Sequence, residues 1–363
     1  MIEDQQAVLT ASTISEFLIS RGVRAEYVEK YLLDTAHGFT HAEKVFETAK
    51  KLLGLIETPA KTEGLIPSLE LACVLHDFAG LKLDTLPSDE ISSILNKIYP
   101  ELGEKITQQE LNKFLVVGEY GITQEIVNHF QSQIAQLSTA QNEVSVRQFH
   151  HLSGAILAYN LLAGNPIFAG KVVDAKLVAL AVLSHNEIDL NFAPKQPVGD
   201  VLMDADKLAE FDVVRMIDIN INKVKRSLFD SGIPRRVRIE ALIDHRGAEE
   251  IELDPSFGKT GKWLDTFQFS MLKLVSNLSD TIYRNPKTVL VLLGEKDGLF
   301  DQALTDTFKA IRQHAKSPKE IAAIGRALLD LINEAKNDPQ YQLAIPLISR
   351  AEFRITCEID GGV

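Results

Sequence analysis

The sequence predicts an all-α protein, on three observations. Apolar residues recur at three- and four-residue intervals along almost the whole chain, the period of a helix face rather than the alternation of a strand. Glycine and proline collect in a few short segments that separate those periodic runs. Several runs also end in a polar side chain that stays in phase with the apolar stripe.

The first strongly periodic run is His41 to Leu53, where His41, Val45, Ala49 and Leu52 share a face and Glu43, Lys44, Glu47 and Lys50 point elsewhere. Thr40 precedes it as an N-cap, with Glu43 three residues on completing a capping box. Gly54, Pro59, Gly64 and Pro67 mark a loop. A second helix carries Leu69, Ala72, Cys73 and His76 on one stripe and closes near Gly80. Residues 82–147 form a more polar helical stretch, interrupted near Pro100 and Gly118, which reads as an insertion beside the site. In Leu177 to His185, the set Val178, Ala181, Val182 and His185 shares a face, and a loop with Pro194 and Pro197 spans Asn186 to Gly199.

From about Ile219 the pattern stays helical, broken around Pro255 to Gly261, at Pro286 and at Gly294 to Gly298. Two domains are therefore expected, 1–218 and a helical C-terminal domain over 219–363. Strands are compatible only with Val289 to Leu293 and Phe353 to Ile359. There is no internal repeat and no low-complexity tract.

The 363 residues are 45% hydrophobic and 24% charged, so a sizeable core is expected. A formal net charge of -12 disfavours nucleic acid and anionic lipid as partners. Cys73 and Cys357 are too few and too distant for a disulfide framework or a Cys-x-x-Cys zinc site. The N-terminus has neither a basic n-region nor an apolar h-region, and no apolar run is long enough to span a bilayer. The expectation is a cytoplasmic protein with no membrane partner; a homo-oligomer is compatible with the sequence.

The chemistry concentrates at His76-Asp77. Adjacent residues on a helix point about 100° apart, so both reach one zone most easily at a helix end. His41 upstream and Asp206 downstream, in Leu202-Met-Asp-Ala-Asp-Lys-Leu208, supply further groups from other helices. Neutral imidazoles and carboxylates together suit divalent transition metals, and helix bundles build metal sites from facing helices.

The pieces His41-Ala-Glu-Lys-Val45, Leu75-His76-Asp77 and Asp204-Ala-Asp-Lys-Leu208 resemble the HD-domain superfamily of metal-dependent phosphohydrolases, over roughly Asp34 to Phe211. The resemblance implies an HD-domain helical bundle with an additional helical C-terminal region. It implies metal ligation by His41, His76, Asp77 and Asp206, with one or two ions of Mn, Mg, Fe, Co, Ni or Zn. Relatives with two metals add histidines between the doublet and the last aspartate. His151 and His185 occupy suitable places, His151 being favoured over its neighbour His150. His37, four residues before His41, suits a substrate phosphate or a second metal, and a capping role competes. Asp204 reads as a partner of a ligating histidine, and Asp280 as a solvated helix carboxylate.

The implied activity is hydrolysis of a phosphomonoester, phosphodiester or nucleotide by metal-activated water. Asp77, His37, His151 and His185 are the candidate catalytic groups, and a small phosphorylated molecule, nucleotides included, is the expected partner. Two other readings stand beside it: a di-iron oxygenase on the same fold, and a non-catalytic nucleotide-sensing module. Phe257-Gly-Lys-Thr-Gly-Lys-Trp263 is not a P-loop, because Leu253 stands where its first glycine is required. The basic cluster Lys223, Lys225, Arg226, Arg235, Arg236 and Arg238 reads as a solvated face.

Overall fold

In a computed structural model, residues 10–34, 37–56, 64–80, 98–99, 108–137, 150–187, 189–209, 211, 277–314 and 317–360 are described. The chain divides into two compact units, Met1–Ala209 and Glu210–Val363. The expected boundary at 218/219 lies outside the described residues, as do the basic cluster and Phe257 to Trp263. The described chain is predominantly helical, and the fold is all-α.

The first unit contains α1 (Ala11–Ser20), α2 (Ala25–Leu33), α3 (Phe39–Leu55), α4 (Leu65–Leu75), α5 (Gln108–Asn112), α6 (Gln124–Leu137) and α7 (His150–Leu162). A short hairpin, β1 (Ile167–Phe168) and β2 (Lys171–Val172), then leads to α8 (Ala175–Ser184) and α9 (Pro197–Ala209). Helices α4 and α8 are apolar on nearly every side, and every residue of Pro67 to Leu75 and of Leu177 to Ser184 is buried. A helix without a polar face belongs at the centre of a bundle. Accordingly α8 packs on α7, α9 and α4, while α3 crosses both α4 and α9. The half-polar α3 covers this centre with the predicted stripe, and Val45, Ala49 and Leu52 are all fully buried.

Two glycines set close approaches around the site. A Cβ at Gly38 would lie 2.2 Å from the Tyr31 carbonyl oxygen and 2.3 Å from that of Asp34. Only glycine lets the chain turn this tightly from α2 into α3. At Gly154 on α7 a Cβ would meet Val182 Cγ1 at 3.0 Å and sit 3.5 and 3.6 Å from the Leu75 and His76 carbonyl oxygens. There α7 slides across the end of α4.

Several local expectations are corrected. The N-cap of α3 is Gly38, so Thr40 lies inside the first turn and is not the cap. Gly54 belongs to α3 and Pro67 to the first turn of α4, so the loop between them is narrower than the glycines and prolines suggest. Pro197 likewise opens α9, where its missing N–H costs nothing. The expected insertion is helical where it is described, in α5 and α6, with Gly118 in a left-handed turn between them. The rest of 82–147, apart from 98–99 and 108–137, lies outside the described residues. The hairpin was not expected. Its turn residues, Ala169 and Gly170, have φ of 47° and 75°, the handedness that joins twisted antiparallel strands in two residues.

The second unit contains α10 (Pro286–Gly294), α11 (Leu299–His314), α12 (Pro318–Asn337) and α13 (Ile345–Asp360). Helix α12 packs on α13, and α11 on both α10 and α12. Both compatible strand segments are helical. Val289 to Leu293 lies in α10, where Pro286 starts the helix and Val289, Leu292 and Leu293 fall on one buried face. Phe353 to Ile359 lies in α13, whose buried Leu347, Ile348, Ala351 and Ile355 keep helical spacing. Asp280 belongs to this unit, in a single 3-10 turn over Asp280–Ile282. Among the described residues no helix is long and apolar enough to cross a membrane.

Candidate metal centre

Helices α4 and α8 end in the same way. His76 caps α4, and its Nδ1–H donates to the Cys73 carbonyl three residues back at 2.7 Å. His185 caps α8, and its Nδ1–H donates to the Val182 carbonyl at 2.6 Å. Each contact satisfies a carbonyl that the helix end leaves without an N–H partner. Each also fixes the tautomer, so that Nε2 is the nitrogen presented to the interior of the site.

Around His76 Nε2 lie His41 Nε2 at 3.3 Å and Asp206 Oδ1 at 3.5 Å, and His41 Nε2 is 3.0 Å from Asp206 Oδ1. Around His185 Nε2 lie His150 Nε2 at 3.0 Å and Asp77 Oδ1 at 3.8 Å, with His150 Nε2 3.1 Å from Asp77 Oδ1. Two triads result, His41-His76-Asp206 and Asp77-His150-His185, and each could hold a metal ion. Asp77 joins them. Its Oδ1 faces the second triad, while Oδ2 lies 3.5 Å from His76 Nε2 and 3.7 Å from His41 Nε2.

The spacing of the donors could accommodate a metal ion. Ligand atoms ~2.0–2.2 Å from one ion lie roughly 2.8–3.6 Å apart, octahedral edges at the short end and tetrahedral edges at the long end. All three edges of the first triad, 3.0, 3.3 and 3.5 Å, fall in that range. Two edges of the second do so as well, at 3.0 and 3.1 Å.

The electrostatics agree with a site for positive charge. Burial opposes a charge on His76, but the carboxylates of Asp77 and Asp206 and the Cys73 carbonyl outweigh it and lift the imidazole to about 9. Burial likewise opposes the negative charge on Asp77 and Asp206. The imidazoles around them prevail and hold both carboxyls well below the usual range. His185 goes the other way, since burial lowers it despite its contact with Asp77.

His37 stands at the outer edge of the cluster. Its backbone N–H donates to Asp34 Oδ1 at 2.7 Å, and its Nδ1 lies 2.9 Å from Asp77 Oδ2. Its side chain is 29% exposed, against 1% for His76, so it stands on the solvent side of Asp77. Asp204 is fully buried on α9, and Asp206 is the aspartate that enters the cluster.

His151 corrects the sequence reading. It is His150 that joins His185 and Asp77, while His151 Nε2 lies 3.2 Å from Gln133 Oε1 on α6. Burial pushes His151 well below the usual imidazole range, helped by His150, His185 and His129 nearby. The Gln133 side chain continues to His129 Nε2 at 2.9 Å and Glu187 Oε2 at 3.4 Å, and His129 Nε2 lies 3.0 Å from Glu187 Oε2. The ring of Phe192 stacks flat on His129 at 4.1 Å. Sequence reasoning missed this network. Its one visible signal was His129 and Gln133 standing four apart, on one face of a helix.

No family model, curated protein or solved structure matches the chain.

Proposed function

We propose that residues 1–209 form a metal-dependent phosphohydrolase of the HD-domain kind, cleaving a phosphomonoester, phosphodiester or nucleotide. One observation carries the reading: two imidazole–carboxylate triads on five segments meet at the two oxygens of Asp77. The chain order of those residues, His41, then His76-Asp77, then His150 and His185, then Asp206, also follows the pattern of two-metal members of that superfamily.

His41, His76 and Asp206, and Asp77, His150 and His185, would hold divalent ions, which would supply Lewis acidity toward a phosphoryl oxygen and lower the pKa of water. The chain supplies the rest. His76 and His185, tied to backbone carbonyls through Nδ1, hold their Nε2 atoms at fixed positions. Buried apolar residues of α4 and α8 keep bulk water behind the site excluded. His37, half-buried beside Asp77 Oδ2, stands at the mouth where it would pass a proton to an alkoxide or phosphate leaving group.

Purified protein with Mn²⁺, Mg²⁺, Co²⁺ or Ni²⁺ is expected to hydrolyse a panel of phosphomonoesters, diesters and nucleotides. His76→Ala or Asp77→Ala is expected to remove turnover while leaving helical content intact. Full activity in either variant contradicts the reading. Bound iron with oxygen consumption, and no phosphate release, would instead favour the oxygenase reading, to which the same four histidines and two aspartates are suited.

A further inference from the structure

We propose that Tyr27 and Tyr31 of α2 are positioning residues for the His76–Asp77 doublet, acting through the two backbone carbonyls that bracket it. The inference rests on the metal-binding reading of the doublet. The Tyr31 hydroxyl donates to the Val74 carbonyl at 2.8 Å, two residues before His76. The Tyr27 hydroxyl donates to the Phe78 carbonyl at 2.7 Å, immediately after Asp77. Between those two anchors the chain leaves the α-helical path of α4 and enters the 3-10 turn Phe78–Gly80.

The chemistry of a helix end explains why hydroxyls are needed here. The last carbonyls of α4 have no intrahelical N–H, and this end is buried, so water cannot serve them. The Ala72 carbonyl takes the His76 N–H and the Cys73 carbonyl takes the His76 ring N–H. The Val74 carbonyl receives its hydrogen bond from α2, a different helix. Tyr27 and Tyr31 stand four residues apart on one face of α2, so a single rigid element holds both anchors. Their rings close edge-on against Phe78, at 5.1 Å for Tyr27 and 4.9 Å for Tyr31. All three rings are buried, Tyr31 and Phe78 completely. Phenylalanine would fill the same volume without desolvating a hydroxyl. The two hydroxyls therefore do something packing does not require, and what they touch is the backbone on each side of the doublet. Groups bonded directly to a metal ligand change affinity about 10–100-fold when removed; these hydroxyls act one step further out, through the Val74 and Phe78 carbonyls.

The test uses the full chain and Co²⁺ as probe, with wild type, Tyr27→Phe and Tyr31→Phe compared. Affinity is read by calorimetry and ligand geometry by the visible d–d spectrum. Thermal unfolding is recorded with and without Co²⁺, because a ligand raises stability only as far as it binds the folded state. Both variants are expected to keep their helical signal, bind Co²⁺ more weakly, by up to about tenfold, alter the d–d spectrum and show a smaller Co²⁺-induced rise in Tm. A purely structural hydroxyl lowers Tm equally with and without Co²⁺ and leaves affinity and spectrum at the wild-type values. That result in both variants overturns the proposal. Wild type that takes up no Co²⁺ removes the metal-binding reading itself, and the proposal with it.

Discussion

His76 and His185 show how much a single residue's position settles. Each is the first residue past a buried helix, each returns its ring N–H to the carbonyl three residues back, and each is left with Nε2 facing carboxylates. For His76 this has a measurable consequence. Without metal its pKa is about 9, so at neutral pH a proton occupies the place of a cation. Binding of a metal at Nε2 would require loss of that proton, so affinity is expected to rise with pH, by about tenfold per unit below the imidazole's pKa if one proton leaves. Stability of the metal-free chain runs the opposite way. Its folded pKa is raised above the ordinary 6.5, so the contribution of His76 is full below 6.5 and is lost as pH rises through about 9. Asp77 and Asp206 are depressed, so their contribution holds above the usual carboxylate range and is lost as pH falls through their folded values. Titrating Co²⁺ affinity and metal-free Tm from pH 6 to 10 checks both slopes; an affinity independent of pH contradicts the charge assignment. His41, His76 and His185 were legible as inward groups because each continues an apolar stripe. His150 was not. Its helix is buried through Leu152 to Ala158, so there is no polar face against which to set the phase of two adjacent histidines.

At the scale of elements, the centre depends on how closely helices approach. The carbonyl end of α4 is covered by α7 at Gly154, and the passage from α2 into α3 closes tightly at Gly38. Gly154→Ala puts a methyl 3.0 Å from Val182 Cγ1, a side chain that can shift by a few tenths of an ångström. A loss of about 1–3 kcal/mol is expected, with weaker metal binding because α7 carries His150. Gly38→Ala is expected to be worse, since its methyl meets two backbone oxygens that cannot yield without moving the α2–α3 turn, which holds His37. Chemical denaturation ranks the two, and equal stability in both variants would contradict these approaches. Stripes such as that of α3 were readable from spacing, since a half-buried helix must show its two faces. Short apolar runs such as Val289 to Leu293 were ambiguous, because the run alone is compatible with either period. The phase of Val289 with Leu292 and Leu293, and Pro286 at the first turn, decide for helix. The hairpin escaped notice because strands of two residues carry no alternation to read.

Across the whole molecule, the sequence conveyed fold class and one constellation far better than it conveyed boundaries or substrate. Composition and period lead to all-α with little ambiguity, since helices of this length each display several turns of pattern. The constellation is legible because its members are rare residue types placed at helix ends, while a substrate is recognised by shape, which no spacing records. Both units have buried cores of their own, and all six residues of the candidate centre belong to the first. We propose that this unit holds two metal ions, one in each triad, joined by Asp77. The most direct test of that proposal is an anomalous difference map from crystals of the full chain grown with Mn²⁺. Two peaks are expected, one among His41, His76 and Asp206 and one among Asp77, His150 and His185. No peak within bonding distance of His76 Nε2 and His185 Nε2 would contradict it.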